Sequence, residues 1–166
     1  MFHLRVRLML LRRFHNRLIG RLANQRDEIS VWLGTWAAFK RCPVGGTNTV
    51  ADNFGVMVRL PGVPVHRHMG NDIGAATGTP IVAPFDGIAT ASSSELGGLE
   101  VRVQGAHGYV YNAHLASYAQ LGSVRMGAVV GYVGSTGDAT APHDHFEWHP
   151  GNGGAVDPNA LLSVVC

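Results

Sequence analysis

At 166 residues the chain is long enough for one domain with a real hydrophobic core and an extension. Hydrophobic residues at 46% and charged residues at 14% exclude global disorder, and no apolar run reaches the roughly 18 residues of a membrane-spanning helix. The formal net charge of +2 conceals a division: residues 1–41 carry nine Lys/Arg against two Asp/Glu, and residues 42–166 carry four against nine. The basic character belongs to a tail and the body is mildly acidic, so no nucleic-acid partner is expected.

In the tail, Leu4, Leu8, Leu11, Leu18 and Leu22 recur at helical spacing, while Arg5, Arg12, Arg13, Arg17 and Arg21 occupy much of the remaining surface. This pattern predicts a basic amphipathic helix. The readings that stand are adhesion to an anionic membrane or wall polymer, an ordinary helix, or a misplaced start. A secretion signal is disfavoured, because Arg12 and Arg13 stop the apolar stretch Leu8 to Leu11 short of the roughly 7 to 15 residues required. Ile29 to Phe39 is a second and weaker candidate, preceded by the wrongly charged Asp27 and Glu28.

Residues 42–166 hold 20 of the 22 glycines, a density that suits an all-β domain with many tight turns. Strands are expected in Phe54 to Leu60, Gly87 to Ala91, Leu99 to Val103, Gly108 to Ala113, Ala128 to Val133 and His143 to Trp148. The breaks between them contain Pro61-Gly62, Gly97-Gly98 and Gly134-Ser135-Thr136-Gly137. The alternation of Leu99-Glu100-Val101-Arg102-Val103 marks an antiparallel strand with one wet face. With no long helical pattern in between, the expectation is a single compact antiparallel sheet or sandwich over residues 42–166.

Seven of the nine histidines fall in this body. In a strand, His143 and His145 present both imidazoles to one face with their Cα atoms roughly 7 Å apart, and Asp144 points the other way. His68 and Asp72 would lie about 13 Å apart if extended, so sharing a metal requires a bend, for which Gly70 and Asn71 are suited. A histidine, a carboxylate and a second histidine from a distant strand make three zinc ligands with one tetrahedral position left open, as in catalytic sites. With only two cysteines, a thiolate-rich structural site is excluded.

The string His68-x-Gly-x-Asp72, the segment Tyr111-x-x-His114-Leu115 and the run from Gly134-Ser-Thr-Gly137 to His143-x-His145-Phe146-Glu147 resemble the signature regions of the lysostaphin-like, LytM-type zinc endopeptidases, which hydrolyse peptides of bacterial cell walls. The stretch Gly78 to Gly87 and the pair Asp157-Pro158 are similar to that family as well. The resemblance implies a duplicated-hybrid-motif β fold, one zinc held by His68, Asp72 and His145, and His114 and His143 as unliganded catalytic histidines. Zinc would polarise the scissile carbonyl and acidify water. His143 would accept and return a proton, and His114 would donate to the developing oxyanion or hold the water. The residue between the paired histidines is usually apolar in the family, so Asp144 needs a polar partner or solvent. His66 competes for a ligand role, and His107 and His149 read as surface histidines. Tyr109 and Tyr111 share a strand face and either line a peptide groove or simply pack.

Because the family's substrate lies outside the membrane, Cys42 and Cys166 are read as a disulfide, against two unrelated thiols. The location implied is extracellular or the cell envelope, and a monomer is expected. Two other classes compete: a non-catalytic LytM-like regulatory domain, which would lack some ligands, and a sugar phosphotransferase carrier domain, which would not need Asp72.

Overall fold

The structure is a computed structural model that describes residues 15–16, 18–22 and 39–166. The chain divides into two compact units, Met1–Gly34 and Thr35–Cys166. In the first, the described residues are helical and exposed, with Leu18, Ile19 and Leu22 open to solvent. The rest of the expected amphipathic helix, and Ile29 to Phe39 apart from Phe39 itself, lie outside the described residues.

The second unit runs in chain order through β1 (Thr49–Val50), β2 (Met57–Val58), β3 (His66–Arg67), β4 (Asn71–Gly74), β5 (Pro80–Val82) and β6 (Gly87–Ser94). It continues with β7 (Gly98–Gly105), β8 (Gly108–Leu115), β9 (Ser117–Tyr118), β10 (Gly122–Val124), β11 (Val129–Tyr132), β12 (His143–Pro150) and a C-terminal helix, α1 (Asn159–Val165). Seven strands form one sheet in the order β1-β4-β12-β8-β7-β6-β10, three form a second in the order β5-β11-β9, and β2 pairs with β3. The pairings are antiparallel, as the alternating patterns require.

The period of two sorts the large sheet into a dry face and a wet one. Ile73 on β4, Val101 and Val103 on β7, Val110 on β8 and Phe146 and Trp148 on β12 all turn to the dry face and are essentially inaccessible. Ile81 of β5 and Val130 of β11 belong to the same core. Each fully buried side chain of this size contributes about 1.5–3 kcal/mol relative to exposure. Asp72, Tyr111, His145 and Glu147 occupy the alternate positions, so the candidate site lies on the opposite face.

Two features differ from the sequence expectation. Phe39, ahead of the expected boundary, is 4% exposed and packs edge-on against Phe85, Phe146 and Trp148. Helix α1 follows a body in which no helix was expected, because seven residues with no basic side chain in the last turn carry little helical signal of their own. It seats Leu161 and Leu162 in the core and brings Cys166 to Cys42, where a disulfide closes the domain with a Cα separation of 4.8 Å. Joining residues 124 apart contributes about 4–5 kcal/mol in the chain-entropy model.

Candidate metal centre and catalytic cleft

Antiparallel register builds the centre. His145 of β12 lies opposite Asp72 of β4 on one side and Ala113 of β8 on the other. His68 precedes β4, and the chain turns between it and Asp72 so that His68 Nε2 stands 3.1 Å from Asp72 Oδ1. The turn passes through Gly70 for want of space rather than for backbone freedom: a Cβ there would lie 2.4 Å from the Phe146 carbonyl oxygen and 3.0 Å from His145 Nε2. His145 Nδ1 reaches His68 Nε2 at 2.9 Å and Asp72 Oδ1 at 3.2 Å. His66, by contrast, turns Nδ1 toward the Pro64 carbonyl and lies outside this trio, although it lines the cleft.

Partners on the outer side orient each candidate ligand. The Asn53 carbonyl accepts from His68 Nδ1–H, and the Asn53 amide donates to Asp72 Oδ2 at 2.7 Å while its oxygen accepts from the Asp72 N–H. Nothing in the sequence singles out Asn53, which lies 19 residues from Asp72. On the other side, His145 Nε2–H donates to Glu147 Oε1 at 3.1 Å. With Nδ1 of His68 and Nε2 of His145 both donating, the remaining nitrogens aim lone pairs at one point shared with a carboxylate oxygen. Three electron donors within 4.8 Å of one another fit a cation, and their spacing is near the roughly 3.3 Å expected between tetrahedral zinc ligands at about 2.0–2.1 Å.

The electrostatics agree. Burial would raise Asp72, yet hydrogen bonds from His145 and His68 and the nearby charges of His68 and His143 hold its carboxyl well below the usual carboxylate range. Burial opposes charge on His145, but Asp72 and Glu147 raise it to about 9, so without a metal ion Nδ1 holds a proton that a cation bound there would displace. Burial likewise would raise Glu147, and its two histidine partners bring it down to about 2. Each group favours opposite charge beside it.

Two further histidines flank the trio. His143 donates from Nδ1 to the Ala141 carbonyl and turns Nε2 inward, 3.4 Å from Asp72 Oδ1. His114 has a left-handed backbone (φ 64°) at the end of β8, donates from Nδ1 to the Thr136 carbonyl, and sets its ring 4.7 Å from that of His143. Burial, followed by the neighbouring His143, lowers the His114 pKa. With Nδ1–H held by the Thr136 carbonyl, His114 turns Nε2 to the cleft, 4.0 Å from Asp138 Oδ1.

The cleft over this cluster has a volume of about 360 Å³, and Val58, Leu60, Leu96, Tyr111 and Asp138 are among the residues that line it. Burial and a hydrogen bond to Glu100 raise Tyr111, while Ser92 and Ser94 donate to the same carboxylate. Tyr109 does not line the cleft: it stacks on His149, which the structure moves from the expected surface position into the row beside Glu147. His107 is exposed. Asp144 points away from the centre as expected, but into the core, fully inaccessible and with no hydrogen-bond partner for either oxygen. Burial pushes its carboxyl up to about 8.

Residues 66–158 match the model of peptidase family M23, and the chain belongs to that family. It is 43% identical over 94 residues to the DD-carboxypeptidase/endopeptidase Mpg of Neisseria meningitidis, a match covering 55% of this chain and 22% of that protein. The chain thus spans about a fifth of that relative's length. Among solved structures, it resembles the catalytic domain of the antimicrobial peptidase lysostaphin from Staphylococcus simulans with a TM-score of 0.60 and 29% identity, over 70% of this chain and 92% of that one. A zinc-containing peptidase from Vibrio cholerae gives 0.62 and 26%, over 72% and 38%.

Proposed function

We propose that the chain is a zinc endopeptidase that hydrolyses peptide bonds of bacterial cell-wall peptidoglycan, holding one zinc through His68 Nε2, Asp72 Oδ1 and His145 Nδ1. The observation that carries this reading is the convergence of those three atoms beneath an open cleft flanked by two unliganded imidazoles. A bound zinc supplies Lewis-acid polarisation of the scissile carbonyl and acidifies water. His143 takes a proton from attacking water and returns it to the leaving amine, a role supported by its anchored Nδ1 and its Nε2 turned inward. His114, neutral with its accepting nitrogen turned inward, holds and orients that water rather than donating to an oxyanion. Identity is higher to Mpg, a DD-carboxypeptidase/endopeptidase, than to lysostaphin, which supports DD-endopeptidase specificity. The substrate and the disulfide support action in the cell envelope or outside the cell. The basic tail is proposed to hold the enzyme on an anionic membrane or wall polymer. The full ligand set favours an enzyme over a regulatory domain.

Digestion of purified peptidoglycans of several cross-link types, with mass analysis of the products, tests the activity. Products from D-amino-acid cross-links, abolished by chelation and restored by zinc, are expected, and cleavage only of glycine bridges would redirect the specificity. His145→Ala should abolish hydrolysis and lower zinc occupancy, whereas His66→Ala should leave both largely intact. Equal zinc retention in the His145 variant refutes the ligand assignment.

A further inference from the structure

Beyond the metal trio, the wet face of β12 carries a line of contacts. His145 Nε2 meets Glu147 Oε1 at 3.1 Å, Glu147 Oε2 meets His149 Nε2 at 2.6 Å, and His149 Nδ1 meets the Gly153 carbonyl at 2.9 Å. The two imidazoles thus divide the two oxygens of one carboxylate. Strand geometry makes this available, since residues two apart share a face. His149 is itself clamped. Its side chain is 12% exposed and its ring stacks on Tyr109 at 4.2 Å and 9°. The Arg102 guanidinium lies 3.6 Å from the Tyr109 ring centre and donates to Gln104. The cross-strand pairs Gln104–Tyr109 and Tyr109–His149 set the order of this stack.

We propose that His149 is a positioning residue for the metal centre. By donating from Nε2 to Glu147 it fixes the carboxylate that holds His145 Nε2–H, and so keeps His145 Nδ1 turned to His68 and Asp72. A glutamate has three side-chain torsions, and with one oxygen released it can swing to solvent and leave the ligand ring free to turn. Groups that orient a metal-binding histidine typically change metal affinity or activity 10–100-fold when removed. Tyr109 and Arg102 act one step further out, by holding the His149 ring in its plane. The inference rests on His145 being a ligand.

The test is zinc affinity of the full chain, measured by competition with a chelator, together with steady-state kinetics. His149→Phe keeps a ring against Tyr109 and removes both ring nitrogens; His149→Gln keeps a donor for Glu147 and gives up the ring. The Phe variant is expected to bind zinc about tenfold or more weakly, with kcat reduced and KM changed by less than about twofold. The Gln variant should recover most of the affinity. Wild-type affinity in the Phe variant overturns the proposal, and so does equal weakening in both variants, which would assign the effect to packing. Circular dichroism of the zinc-free proteins establishes that each variant is folded. His145→Ala separates the failures: if it keeps zinc, the ligand assignment falls and this inference with it, whereas loss of zinc there with retention in His149→Phe sinks this inference alone.

Discussion

His143 and His114 anchor their outer nitrogens on backbone carbonyls as His68 does, and we propose catalytic roles for them because their rings line the cleft outside the three converging donor atoms. Each donates from Nδ1 to a backbone carbonyl, Ala141 and Thr136 respectively, and leaves Nε2 for the proposed roles of proton carrier in His143 and water-holding group in His114. His143→Ala and His114→Ala should therefore each lower turnover about a hundredfold or more while zinc stays bound. Near-normal turnover in either variant would remove that residue from the mechanism. Asp144, between the two histidines of β12, presents the opposite case: its pKa of about 8 keeps it protonated at neutral pH, yet neither oxygen has a partner in the core. An unsatisfied buried polar group costs about 1–3 kcal/mol. Asp144→Val should raise the unfolding free energy by an amount in that range, read by denaturant titration, with zinc affinity unchanged. A less stable variant would mean that the carboxyl contributes an interaction the fold needs.

The loop Gly134 to Gly137 is the element that places His114. Its Thr136 hydroxyl donates to the Leu115 carbonyl and accepts from the Leu99 N–H, while the Thr136 carbonyl receives His114 Nδ1–H. The approach is close: Gly137 has φ 70°, and a Cβ on it would lie 2.0 Å from the Leu96 carbonyl oxygen. Thr136→Val preserves shape and removes both hydroxyl bonds. It should lower stability by about 1–3 kcal/mol and reduce kcat, since the anchor of His114 loosens, while zinc affinity is retained. Denaturant titration beside turnover measurements checks this, and unchanged turnover would show that the loop does not position His114.

At the scale of the whole chain, the charge division proposes a basic anchor joined to an acidic catalytic domain. The burial of Phe39 against Trp148 moves the useful cut: removing residues 1–41 would damage the core, whereas the boundary along the chain between the two units falls after Gly34. Deleting residues 1–34 should reduce retention on walls or anionic vesicles and leave cleavage of a small soluble peptide unchanged. Retention of the full chain should fall with rising salt, because the Debye length is about 8 Å at physiological ionic strength. Binding by the truncated protein equal to that of the full chain at every salt concentration would remove the anchor from the account.

The sequence by itself determined what depends on neighbours along the chain. Glycine density and short alternating runs specified an antiparallel β body, and a period of two placed His143 and His145 on one face and Asp144 on the other. The short strands β1, β3, β4, β5, β9 and β10 escaped that reading, since two to four residues hold too few alternations to form a pattern. Only the tertiary structure decided what depends on register between distant strands. The pairing of Asp72 with His145 spans 73 residues, Asn53 supports two prospective ligands from a loop without a motif, and His149 reaches Glu147 because two strand residues share a wet face. It also decided the environment of Asp144: alternation says which way a side chain points, but whether solvent or a packed core waits there depends on the layers that the rest of the chain folds against it.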